Sequence, residues 1–316
     1  MTAPSRPGLA AGRVPARSET PGQVRPAGVQ PAPERERKTV SVYGLTFSLP
    51  MLLWQLIFFL APLLFLIALS FWTVRNFRME PDFNPDNWSR MLGRSVFWEA
   101  YLRTLLLSAS AAIVTSALAF PASYAIAFKL SDTARRWAIF LMVIPFFTSY
   151  LVRVYSWQIF LSDNGIINAA LAPLGLGPFP MLNSDFGTMV GYLTLCLPLV
   201  ILLQLFSLIF VDRNLVEAAH NLRCGRLRTV FEVVVPAARV GLTIAALFCF
   251  ILTFGDFVSP LYLGGGDPPT LSILITDTTK SGQQWPRAAV VALVMIATLL
   301  VIAFAAVRFA YRERGR

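Results

Sequence analysis

Residues 49–74 read LPMLLWQLIFFLAPLLFLIALSFWTV, an apolar run that no charged residue interrupts. A helix of about 20 such residues crosses the hydrocarbon core of a bilayer, so Leu49 to Val74 is expected to span a membrane. A cleaved secretory leader has a short basic lead and an apolar core of about 7–15 residues. Here the lead is far longer and so is the apolar run, so this segment is read as an uncleaved first span. Working outward along the chain, five more segments qualify: Ala100 to Phe128, Trp137 to Leu161, Phe186 to Val211, Val240 to Leu263 and Ala288 to Tyr311. Pro62, Pro121, Pro145, Pro198 and Pro260 fall inside them. Membrane helices tolerate proline where neighbours satisfy the freed carbonyl. The fold class expected is an all-α membrane protein of six spanning helices.

Composition agrees. The 316-residue chain is 56% hydrophobic and 14% charged, against about 25% charged residues in soluble domains. Residues 1–45 read as a basic tail. Over 1–38, Pro, Ala, Gly and Arg with few large apolar side chains cannot offset the entropy of ordering, so disorder is expected. The spanning domain is then 46–312.

Lys and Arg set the orientation. With the N-terminus inside, seven lie in the tail, three between spans two and three, five between spans four and five, and four at the C-terminus. The opposite side has seven, and Arg153 falls within a span. Both termini are therefore expected in the cytoplasm. This placement accounts for most of the net charge of +10, leaving no case for nucleic-acid binding. The outer loops 81–88, 173–185 and 264–285 carry turn residues, with Trp88, Trp98 and Trp285 suited to the membrane interface. Of the three cysteines, Cys196 and Cys249 lie in apolar runs, Cys224 does not, and their spacing fits no metal site. They are read as small buried hydrophobes.

The cytoplasmic segment 212–239 is too long for a turn and too polar to span. Asp212 or Asn214 can cap a helix start. Glu217, Ala218 and Ala219 follow, then a basic stretch to Arg228, then a β-branched run closed by Pro236. Two short helices with a turn near Cys224-Gly225 are expected along the membrane surface. Taken alone, this would also suit a plain amphipathic surface helix.

The stretch from Glu217-Ala218-Ala219-His220-Asn221-Leu222 to Val233-Val234-Val235-Pro236 resembles the coupling loop of ATP-binding cassette importer permeases. Residues 146–155 (FFTSYLVRVY), residues 160–165 (FLSDNG) with Asn168, and residues 254–260 (FGDFVSP) resemble signatures of the spermidine/putrescine permease family. The similarity runs over residues 45–312. It implies the type I importer permease fold in a bacterial inner membrane, with no catalytic residue and no metal. The loop would couple to an ATPase through Glu217, Ala218, Ala219, Arg223, Gly225 and Pro236. The implied partners are a second homologous permease, a homodimeric ATPase that binds ATP and Mg, a periplasmic solute-binding protein, and lipid. No Gly-Lys-Ser/Thr triplet occurs in this chain, so it lacks a phosphate loop and the energy must come from the partner. The family pattern has Gly where this chain has Arg223, and Asp where it has Asn221. Gly225 is the residue nearby that could take over the turn.

Ionisable groups inside a membrane face a cavity or a partner. On a helix rising about 1.5 Å per residue, Asp256 and Arg153 each fall in the outer third of their spans. That places them to pair with each other or to line the substrate path. Asp256 and Asp163 supply carboxylates, and Tyr150, Tyr155 and Trp157 supply aromatic faces, which suit ammonium groups on methylene stems. The cargo implied is spermidine or putrescine. An opine, amino-acid derivative or phosphonate would be favoured by an Arg153 that is free of Asp256. An autonomous channel or secondary transporter would need no coupling loop. An intramembrane enzyme is excluded by the absence of a His or paired carboxylates at membrane depth.

Overall fold

The computed structural model describes residues 42–312 except Gly282. Residues 1–41, most of the tail, lie outside the described residues. The chain divides into two units at Trp54/Gln55. Of the first, Val42 to Trp54 is described and belongs to helix α1 (Val42–Gln55).

In the second unit, a π-turn at Leu56–Leu60 leads into α2 (Ala61–Leu69). Pro62 has no N–H for the carbonyl four residues back, and the wider turn before it takes up that mismatch. The first span is Ser48–Leu69, ending earlier than the Val74 expected. The Ser70 hydroxyl bonds back to the Ile67 carbonyl, and the chain then folds into a hairpin, β1 (Thr73–Arg75) against β2 (Arg78–Glu80). Asn76 and Phe77 at its tip both have positive φ, as a tight two-residue hairpin turn requires.

After α3 (Asp86–Leu92) comes α4 (Ser95–Phe128), 34 residues long. The third expected span is not one continuous helix. α5 (Asp132–Val143) passes through a 3₁₀ turn, Ile144–Phe147, and the chain bends by 90° before α6 (Tyr150–Leu161). Pro145 removes a helical donor and Thr148 is extended at ψ 140°, so the α-helix cannot continue through this point. α7 (Ile166–Leu171) and α8 (Asp185–Ile209) follow.

The 212–239 loop holds α9 (Arg213–Asn221), then α10 (Arg226–Thr229), a π-turn Val230–Val234 and α11 (Val235–Ala237). A 78° bend leads into α12 (Arg239–Gly255). The fifth expected span therefore stops at Gly255, not Leu263. Asp256 is extended and α13 (Val258–Tyr262) starts anew. The outer segment read as loop contains α14 (Leu271–Lys280), whose Leu271, Ile273 and Leu274 are buried. α15 (Trp285–Tyr311) ends the described chain. Among the described residues, four helices are long and apolar enough to cross a membrane, or six if each bent pair is one span.

α4, α8 and α12 form the centre. Lipid offers no hydrophobic drive to bring helices together, so close approach through small residues and interhelical hydrogen bonds must do it. α4 presents Ala111, Ala112, Thr115, Ala119 and Ser123 to the interior. Gly191 of α8 lies so close to Ser259 that a Cβ there would overlap its side chain. Cys196 and Cys249 are buried in this core, and Cys224 is partly exposed. Between α4 and α8, buried Gln204 donates to the Ser116 carbonyl at 3.1 Å and accepts from the Ser123 hydroxyl at 3.1 Å. Outside, Ile113, Phe147, Ile159 and Phe304 are exposed, as a lipid- or subunit-facing surface requires.

Replacing Gln204 with Leu is expected to lower stability in detergent by about 0.5–2 kcal/mol, the range of interhelical polar contacts. A thermal melt checks this, and an unchanged melting temperature would mean the network adds nothing.

Candidate functional site

The 212–239 loop is built from strong local signals. Asp212 caps α9, its carboxylate accepting from the Asn214 N–H at 2.9 Å. On α9, Glu217 and Ala218 point outward and Ala219 is buried. Glu217 enters no ion pair among the described residues. α9 ends in a paired-bond cap: the Cys224 N–H bonds the Ala219 carbonyl at 3.0 Å and the Arg223 N–H bonds the His220 carbonyl at 2.9 Å. This cap needs a left-handed residue, and it is Arg223, at φ 57°. Gly225, the residue expected to take over the turn, has φ −65° and precedes α10. Arg223 thus holds the conformation that the family's glycine would hold, at a cost of about 1 kcal/mol. Beyond it, Glu232 hydrogen-bonds Arg228 at 2.9 Å, raising the guanidinium above its ordinary pKa. Pro236, exposed in α11, is the second residue after the π-turn.

Where this loop turns into α12, it is pinned on two sides. The Ser207 hydroxyl of α8 donates to the Ala238 carbonyl at 3.1 Å. Gly241 lies against Ser207 so tightly that a Cβ would overlap it. Arg239 donates to the Phe309 carbonyl, and its guanidinium carbon lies 4.6 Å from the Phe309 ring centre. The loop is therefore attached both to α8 and to the last turn of α15.

Toward the other end, the two helix breaks meet. The Tyr150 hydroxyl, at the start of α6, donates to the Asp256 carboxylate at 2.7 Å and touches the Ser259 hydroxyl. Asp256 also accepts the N–H groups of Val258 at 3.0 Å and Ser259 at 3.1 Å, so its carboxylate caps α13. Arg153 and Asp256 are not paired. Asp256 sits at a break instead of on a straight helix, so the shared depth expected of the two does not bring them together. Arg153 donates to the Thr194 carbonyl at 2.9 Å. That carbonyl lies four residues before Pro198, which has no N–H to give it. The guanidinium carbon also stands 5.8 Å from the Tyr150 ring centre. Tyr150 thus touches the carboxylate through its hydroxyl and the guanidinium through its ring.

The other candidate residues lie apart from this node or on its packing side. Half-buried Trp157 packs with Val154, Leu161, Val258 and Leu263. Exposed Tyr155 packs against Tyr262 with ring centres 5.1 Å apart and planes tilted by 56°. Asp163 lines an outer cavity with Asn164 and Asn183. Gly165 closes the turn there, since a Cβ would come within 2.6 Å of the Phe160 carbonyl oxygen. Buried Asn168 clamps the loop through the Ser162 carbonyl at 3.2 Å and both backbone groups of Phe179 at 3.1 and 3.0 Å. Sequence reasoning missed Thr194, Ser207, Arg239 and Ser259. Thr194 was findable from Pro198 four residues on, and Ser259 from its place three residues after a capping Asp. No local signal marked Ser207 or Arg239.

A multi-span bundle with a structured surface loop, and with broken helices meeting at one carboxylate, defines a membrane transport subunit. The chain belongs to the family described as binding-protein-dependent transport system inner membrane component, which matches residues 118–314. Among its relatives is the spermidine/putrescine transport system permease protein PotB of Haemophilus influenzae, 26% identical over 82% of this chain and 92% of that protein. The PotB of Escherichia coli K12 is 27% identical over 74% and 85%. The inner membrane ABC transporter permease protein YdcU of Escherichia coli K12 is 28% identical over 67% and 72%. Among solved structures, a chain of a bacterial ABC transporter involved in import of the acidic polysaccharide alginate superposes with a TM-score of 0.67 at 17% identity, covering 86% of this chain and 96% of that one. The fold is that of a type I importer permease. The chain is a multi-pass bacterial inner-membrane subunit of an ABC importer related to the spermidine/putrescine permeases, and not an enzyme. Such a subunit works with a binding protein, a second permease and an ATPase.

Replacing Arg223 with Gly is expected to remove about 1 kcal/mol of left-handed strain and to slow amide exchange across residues 213–237. Faster exchange would mean that the arginine side chain itself holds the turn.

Proposed function

We propose that this chain forms one half of the path for a small organic cation of the polyamine class, spermidine or putrescine. The observation that carries this reading is Asp256, a carboxylate at the meeting of two helix breaks that enters no ion pair among the described residues. Three hydrogen bonds occupy part of its acceptor capacity, and a carboxylate offers about four acceptor sites, so room remains for an ammonium group. Broken helices at a binding site are the transporter's way of presenting polar groups at membrane depth. The names of the two PotB relatives support the cargo.

In this reading the termini are cytoplasmic, as the distribution of Lys and Arg favours. A homologous sister permease completes the path, a homodimeric ATPase binds the 212–239 loop, and a periplasmic binding protein delivers the cargo. Glu217, Ala218, Ala219, Arg223, Gly225 and Pro236 make the coupling element, and exposed Glu217 pairs with a basic group of the ATPase. Closure of the ATPases moves the loop as a rigid piece and rocks the helices between outward- and inward-facing states. Tyr150, Tyr155, Trp157, Arg153 and Asp163 contribute to the path with Asp256.

A second reading rests on Arg153. Its guanidinium meets a carbonyl and a ring but no carboxylate among the described contacts, so a cation and an anion flank Tyr150. That pair would suit a zwitterion such as an opine or amino-acid derivative, and Arg153 alone would suit a phosphonate.

Ligand-stimulated ATPase activity of the whole complex with its binding protein separates the two readings. Stimulation by spermidine or putrescine alone supports the first. Stimulation only by zwitterions or anions overturns it in favour of the second. Asp256→Asn keeps a good cap but removes the charge. It is expected to cut polyamine uptake by about tenfold or more, equivalent to about 1.4 kcal/mol. An unaffected rate would leave Asp256 with its capping role alone. Glu217→Ala is expected to leave assembly intact and separate ATP hydrolysis from uptake, and unchanged uptake would remove its coupling role.

A further inference from the structure

Between the end of α4 and the cytoplasmic loop lies a cavity of about 620 Å³, within the usual range of about 300–1,000 Å³ for ligand sites. Phe120, Tyr124 and Phe231 supply part of its apolar wall, and Lys129, His220 and Arg226 supply its polar groups. No carboxylate lines it among the described residues. Neither Lys129 nor Arg226 enters an ion pair there, while the carboxylates nearby in sequence, Asp132 and Glu232, are held by Arg135 and Arg228. Two uncompensated cations beside an aromatic wall, at the level where a spanning helix leaves the membrane, match one ligand in every part.

We propose that this cavity is a binding site for an anionic phospholipid of the cytoplasmic leaflet, separate from the cargo path. The phosphate sits between Lys129 and Arg226, with His220 able to donate to it, and the first methylenes of an acyl chain lie on Phe120 and Phe231. A headgroup carrying its own ammonium would neutralise the phosphate internally and gain less, so the site favours phosphatidylglycerol over phosphatidylcholine. Basic pockets at the cytoplasmic end of spanning helices gain about 1 kcal/mol per Lys or Arg from such headgroups. One face of the site is α4 and the other is the loop, so the lipid bridges the two.

The test uses the intact complex, equilibrated with an equal mixture of phosphatidylglycerol and phosphatidylcholine, purified, and read by native mass spectrometry. Phosphatidylglycerol is expected to be retained preferentially. The double variant Lys129→Gln, Arg226→Gln is expected to reduce that retention by about ten- to thirtyfold, on the scale of two basic side chains. The charge-keeping pair Lys129→Arg, Arg226→Lys is expected to retain it. Both positions are exposed, so the variants should fold, and an unchanged melting temperature verifies this. Equal retention of both lipids, or equal phosphatidylglycerol in wild type and double variant, overturns the proposal. So does loss of ATPase subunit from the double variant with lipid content unchanged, which would give the surface to the ATPase. Competition by millimolar inorganic phosphate with no lipid retained overturns it as well.

Discussion

The hydrogen bond from Tyr150 to Asp256 joins two of the places where the helices of this bundle break. Inside a membrane, a helix break exposes backbone groups that lipid cannot satisfy, and each costs several kcal/mol. A break is therefore tolerable only where something else takes over its hydrogen bonds. Asp256 does this for α13 by accepting two N–H groups, and Tyr150 ties the start of α6 to the same carboxylate. Each break is stabilised by the other, which fixes α6 against α12 and α13 and places a carboxylate at their meeting point.

The same constraint explains Arg153. A guanidinium in a span looks at first like a functional charge, and its donation to Thr194 shows that part of its work is structural. Pro198 leaves the Thr194 carbonyl without its helical donor, and Arg153 supplies a strong one from the neighbouring helix. The remaining charge is what makes a zwitterionic cargo worth weighing beside a polyamine. Two demands, backbone satisfaction in α8 and electrostatics at Tyr150, fall on one side chain.

The spanning character of the chain was legible because apolar length is a long-range, redundant signal. Among the described residues, Asp185–Ile209 and Trp285–Tyr311 lie within a few residues of their apolar runs, while α4 starts earlier than its run and the first span ends earlier, at the Ser70 turn. The breaks were less legible. Hydropathy is continuous across Thr148 and Asp256, and the prolines that mark trouble recur in helices that stay whole, such as α4 with Pro121. What decides is whether a neighbour can take the freed groups, and that is a tertiary fact. The turn of the cytoplasmic loop shows the converse. The motif placed a left-handed residue at position 223, while composition pointed to Gly225. Spacing from the end of α9 decided the matter, because the cap closes at a fixed distance from the helix whatever side chain stands there.

The bend at Ala238 has a mechanical consequence. Ser207 and the Gly241 contact hold it to α8, and Arg239 holds it to α15, so it is placed as a fulcrum near one end of α12. α12 has 17 residues, a rigid arm of about 25 Å at 1.5 Å per residue. A rotation of about 10° at the fulcrum sweeps the far end through roughly 4 Å by the same geometry. That end is Gly255, beside Asp256. A small turn of the surface loop about that bend would thus be magnified along the arm before it reached the joint between Tyr150 and Asp256.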